Sequence, residues 1–162
     1  MLARARLVTV RLLRTILVFK AGVYAGVAIA AAVVKLALPS RGDEGSDEVA
    51  LVAIFDGIQL ESRAQAFRGG SMLAWFGGID LDLRDAQLAA NARISVHTLF
   101  GGIAIRIPES WRVESEAKAL VGGVDVRSGS EEPSAPTLHL EGRALVGGIA
   151  VGPKARASAD ER

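Results

Sequence analysis

The chain has 162 residues, 50% of them hydrophobic and 23% charged, with 18 glycines and no cysteine, which suits one core domain and an appendage. The missing cysteine excludes disulfide frameworks, thiolate zinc centres and cysteine nucleophiles, and 5% aromatic content argues against a stacking surface for nucleic acid. The net charge of +1 hides an asymmetry: residues 1–42 carry seven of the 19 basic residues and none of the 18 acidic ones, so a basic apolar leader joins a mildly acidic body that does not favour phosphate-rich partners.

From Ile16 to Leu38 the chain reads ILVFKAGVYAGVAIAAAVVKLAL, about the length of a membrane-spanning helix. Lys20 and Lys35 interrupt it, each near enough to an end to snorkel to an interface on its aliphatic stem. Gly22 and Gly26 form a small-xxx-small pair of the kind that admits a second helix. The segment is therefore expected to be an uncleaved anchor comprising 1–38. Arg4, Arg6, Arg11 and Arg14 precede it, whereas Arg41 is followed by Asp43, Glu44, Asp47 and Glu48; this imbalance predicts an inner-membrane protein with its amino terminus in the cytoplasm and its body outside. Residues 39–48 read as a polar linker.

After residue 48 the chain repeats. IFDGIQLES (54–62), WFGGIDLDL (75–83), LFGGIAIRI (99–107), LVGGVDVRS (120–128) and LVGGIAVGP (145–153) share one block, spaced as a repeat architecture requires. Ile79, Leu81 and Leu83 alternate with Asp80, Asp82 and Arg84, and Ile103, Ile105 and Ile107 with Ala104 and Arg106, as half-buried strands demand. The fold class expected is all-β: a short β-solenoid of about five repeats of 21–25 residues over 49–152, preceded by one helix. Each repeat is expected to hold two strands joined at Gly-Gly and to stack on the one before it, since stacking selects identical corners. The corner glycines are Gly57, Gly77, Gly78, Gly101, Gly102, Gly122, Gly123, Gly147 and Gly148, placed there for positive φ or close backbone packing. No G-x-G-x-x-G pattern or Walker lysine accompanies them, which sets a phosphate loop aside. The loop 128–136 is expected to bulge from one edge and the tail 153–162 to be disordered.

Chemistry-bearing residues are sparse. His97 and His139 are expected on outward faces without ligand-like spacing around them. Asp80, Asp82 and Asp125 are the carboxylates a glycan-cleaving solenoid would use, but a solvated, ion-paired face accounts for them, with Asp82 beside Arg106 if the repeats stack in register. Trp75, Trp111, Phe76 and Phe100 are expected to pack in the core or at its ends. No catalytic, cofactor or metal residues are assigned.

The order FGG-strand-Leu83-Arg84-Asp85-Ala86, then FGG-strand-Ile107-Pro108-Glu109-Ser110-Trp111, then two further GG strands resembles the carboxy-terminal domain of the LiaF-like, cell-wall-active-antibiotics-response proteins of bacteria, over residues 49–152. The resemblance implies a toast-rack-like β-solenoid attached to membrane helices, no enzyme activity, and a family whose name-giving members restrain an envelope-stress two-component system. Those members have several spans where this chain has one, so the domain transfers more directly than the role. The partners expected are membrane lipid and a protein or second copy, with no nucleic acid and no small-molecule substrate. The alternatives are a self-assembling scaffold resembling bactofilins and, behind it, a carbohydrate-active enzyme.

Overall fold

The computed structural model describes residues 20–30, 32–33, 36–37 and 39–153, and the chain divides after Leu38 into two units. In the first, residues 20–30 are helical and include Lys20, Gly22 and Gly26, with open space beside both glycines. Among the described residues no helix is long and apolar enough to cross a membrane; Ile16, Lys35 and Leu38 of the expected anchor, and the tail from residue 154, lie outside the described residues.

The second unit is a β-solenoid built from β1 (Glu48–Ile54), β2 (Gly57–Glu61), β3 (Phe67–Trp75), β4 (Gly77–Asp82), β5 (Leu88–Arg106), β6 (Arg112–Ser115), β7 (Lys118–Val126) and β8 (Thr137–Gly152). Every pairing between these strands is parallel, as coils wound in one direction must be. β1 with β2, β3 with β4, β5, β6 with β7, and β8 form successive repeats, but they do not stack in chain order. β5 pairs with β8, and β8 in turn carries both β6 and β7. The fifth repeat is thus inserted between the third and fourth, correcting the expectation that each repeat rests on its predecessor. Parallel register makes this possible, because an edge accepts any coil with the same spacing of inward residues and corner.

That spacing is constant. Ala53, Ala74, Thr98, Ala144 and Ala119 stack in one inward column, and five residues further on Ile58, Ile79, Ile103, Ile149 and Val124 stack in another. The odd interval means one extra residue at each corner, so the inward parity switches there and both arms of the coil point apolar residues at one core. Phe67, Met72, Leu81, Leu83, Ile94, Ile105, Ile107, Leu138 and Leu140 fill it with side chains essentially inaccessible to water, each contributing about 1.5–3 kcal/mol on burial. Trp111 is buried with them, at 3% exposure.

The corners differ from the expectation of two strands per repeat. β5, β7 and β8 run unbroken through their glycine pairs, where Gly101, Gly122 and Gly147 take the positive φ. In the first two repeats Phe55 and Phe76 take it instead, at φ 52° and 55°, and there the strand breaks.

The first glycine of each pair is obligatory for a second reason. A Cβ on Gly77 would overlap the carbonyl oxygen of Asp56 in the layer beneath, and one on Gly101, Gly147 or Gly122 would overlap that of Gly77, Gly101 or Gly147 in turn. The second glycines are under no such constraint: a Cβ on Gly78, Gly102 or Gly148 would lie at ordinary distances of 3.5–3.7 Å, and Gly57 and Gly123 face open space.

Both ends of the stack are partly covered. The segment 39–48, read from sequence as a polar linker, is bonded to the first layer: Arg41 exchanges backbone hydrogen bonds with Ala50, and Ser40 Oγ accepts from Val52 N–H and donates to its carbonyl. At the far end the loop after β7 does the same for β6. Ser128 Oγ accepts from Val113 N–H and donates to its carbonyl, while the amides of Gly129 and Ser130 donate to Trp111 O. Of the loop expected to bulge away, residues 128–130 form a strap across an exposed edge, while residues 131–134 are exposed.

Candidate functional site

The residue preceding each glycine pair stands at the corner with no inward face to occupy. Phe55, Phe76 and Phe100 consequently stack along the solenoid axis, with ring centroids 5.0 and 4.7 Å apart and planes inclined by only 7° and 17°. Those spacings are the interstrand repeat of the sheet itself. The column continues through Val146 to Val121. All three rings are exposed, by 56%, 42% and 40%, and Leu120, Val121 and Leu145 are exposed alongside. An apolar ridge therefore runs the length of the stack on a solenoid whose other outward positions are largely charged or small. The expectation that Phe76 and Phe100 pack in the core or at its ends is corrected: they belong to the ridge, and Trp75, half-buried, leans on it with its ring 6.5 Å from that of Phe76. Phe55, not singled out from the sequence, completes the ladder; its position in the repeat block was the signal.

Beside the ridge the second corner glycines form a trough of about 1090 Å³ along the solenoid, floored by Gly57, Gly78, Gly102, Gly148 and Gly123 and edged by Asp80 and Arg106. The outward acids lie on this side, but not as a solvated face throughout. Asp82 is 8% exposed; both its oxygens accept from Arg84 Nε at 2.9 and 3.0 Å, and Arg106 Nη1 stands 3.5 Å away. Arg84 holds the Asp82 carboxyl below the usual carboxylate range, hydrogen bonding outweighing the opposing cost of burial. Asp80 pairs with Arg106 across the layers and Asp125 with Arg127 just past the end of its own strand. A glycosidase acid needs a raised pKa to keep its proton; that of Asp82 moves the other way. Asp80 Oδ1, Thr98 Oγ1 and Trp75 Nε1 are buried without a hydrogen-bond partner among the described residues.

His139 lies with Nδ1 3.5 Å from Glu114 Oε2, and His97 Nε2 is 3.4 Å from Ser95 Oγ. Among the described residues no group of three or more His, Cys, Asp or Glu side chains converges to hold a metal ion.

No family model matches the chain and no curated protein matches it. Among solved structures it is similar to one from Clostridium sporogenes provisionally assigned to cell adhesion, at 17% identity and a TM-score of 0.40, covering 60% of this chain and 56% of that one.

Proposed function

We propose that the chain is a non-catalytic interaction module of the bacterial cell envelope, anchored at the cytoplasmic membrane through its amino-terminal segment, with the solenoid outside and binding another protein through the corner ridge. The carrying observation is the ladder of Phe55, Phe76 and Phe100. Two of its residues hold a positive φ that costs a bulky side chain of order 1–3 kcal/mol, yet the rings gain only partial burial, so stability alone does not account for them. Phe76 is covered on both faces by its neighbours' rings, and Phe55 and Phe100 on one face each, Phe100 being followed by Val146, so the ladder presents mostly edges outward. A sugar needs an open aromatic face, whereas an apolar protein surface packs against edges and aliphatic flanks equally well. The resemblance to the LiaF-like domain gives the finer reading, a regulator in the envelope-stress response that works by contact with a membrane partner.

A photo-crosslinking residue in place of Phe100 in growing cells tests this. It should yield a defined protein adduct that is lost when Phe76 is changed to Ser, while the same probe at exposed Gln65 yields none. Equal adducts from both sites would end the ridge reading. Placement is tested separately with Glu131→Cys in this otherwise cysteine-free chain: labelling of intact cells by an impermeant maleimide is expected, and labelling only after lysis would put the solenoid inside.

A further inference from the structure

The strap at the far end of the solenoid stops at β6. Among the described residues β7 pairs with β8 and with no other strand, and its backbone orientation follows from the layers beneath it. Inward residues send their backbone groups towards this end, as Leu83 N–H bonds Arg106 O and Ile107 N–H bonds Gly152 O, whereas the outward Arg127 N–H bonds back to Val151 O. Ala119 and Val124 are the inward residues flanking the β7 corner, so their amides and carbonyls face away from β8. Exposed Leu120 and Val121, at 76% and 57%, sit at that corner. Here the molecule carries an open strand edge with apolar residues beside it.

The opposite end of another copy does not fit this edge. Its β1 is already strapped by Ser40 and Arg41, and at its corner Asp56 occupies the place that glycine holds in every later repeat. In each of those repeats a Cβ would overlap the carbonyl beneath, so the Asp56 Cβ excludes an in-register layer below it. Head-to-tail growth, the route to a filament, is closed at the corner.

We propose that the β7 edge binds the β7 edge of a second copy, end to end, about a two-fold axis through the corner. The two strands then run antiparallel, the first arm of one over the second arm of the other. The extra corner residue that switches inward parity in each coil keeps this pairing in phase. Ala119 lies opposite the partner's Val124, inward on inward, and exchanges both backbone hydrogen bonds with it, and Val124 does the same with the partner's Ala119. One residue outward, Lys118 lies opposite the partner's Asp125 and Asp125 opposite the partner's Lys118, opposite charges in both places. Asp125 is exposed and within 3.0 Å of Arg127, just past the end of β7, leaving it able to share a second cation. The assembly closes at two copies. This inference rests on reading the domain as one that works by protein contact, and names one partner.

The full chain in detergent, carrying Lys118→Cys together with Asp125→Cys, tests it. Mild oxidation should convert the double variant to a disulfide-linked dimer on a denaturing gel, and neither single variant should crosslink. No dimer from the double variant, equal dimer from a single one, or a ladder of higher oligomers overturns the pairing. By sedimentation, Lys118→Asp should weaken dimerisation about tenfold or more and Lys118→Asp with Asp125→Lys should restore it; failure of the exchange to restore it also overturns the pairing. A Phe100 adduct with no dimer would leave the interaction reading intact and remove this one alone.

Discussion

Gly101 and Gly123 each sit in a Phe/Val-Gly-Gly block, and their sequence surroundings barely distinguish them. Gly101 lies over the carbonyl of Gly77 with φ 143°, whereas Gly123 faces open space. Gly101→Ala is therefore expected to destabilise by more than about 3 kcal/mol, through both overlap and strain, and Gly123→Ala to stay within about 0.5 kcal/mol. Chemical denaturation of the two variants checks this; equal losses would mean that stacking does not select the first glycine. The doublet was legible in the sequence, but which member matters was not, because that depends on which Cα lies over a neighbouring carbonyl. Asp82 makes the same point. Alternation placed it outward beside Arg106, as found, but Arg84, two residues away, folds back over it and withdraws it from water. Its lowered pKa contributes stability that is present above the unfolded value of 3.8 and lost as pH falls through the folded one. Asp82→Asn should lower stability at pH 7 by about 1–2 kcal/mol, with the gap to the parent narrowing below pH 4; a pH-independent gap would assign the loss to packing.

At the scale of elements, the period-two pattern was enough to name the strands and their inward residues, since each arm keeps strict alternation and only the corner breaks it. The straps were not legible. Ser40 and Ser128 lie in stretches rich in glycine, serine and charge that read as linker and loop, and nothing local marks a hydroxyl that accepts from and donates to a single residue on a terminal strand. Ser128→Ala is expected to cost about 1 kcal/mol and to speed amide exchange at Val113 well beyond that at Val96 on β5; unchanged exchange at Val113 would show that the backbone bonds from Gly129 and Ser130 to Trp111 suffice. The aromatic ladder was half legible. The repeat aligned its members, but a corner residue has no parity, so alternation could not tell core from surface.

For the whole molecule, the order of layers is the feature least available from sequence. The third, fourth and fifth repeats carry corner blocks so similar that any could lie on any other, and the choice between them is made by the connections: the segment after β5 spans two layers, and the segment after β7 returns by one while strapping the end. Hydrogen exchange reads this order directly. β8, last of the described strands but flanked on both sides, should exchange more slowly than β6 and β7, which precede it; the reverse would mean that the repeats stack in chain order. The interior position of β8 also governs how the protein is made. A solenoid stacked in sequence can add each coil as it leaves the ribosome, but here growth halts at β5, whose upper edge has no lasting occupant until the final sixteen residues of β8 emerge. Layers four and five then have to be laid down together, and a nascent chain cut short anywhere before β8 loses the plate on which the fourth coil rests.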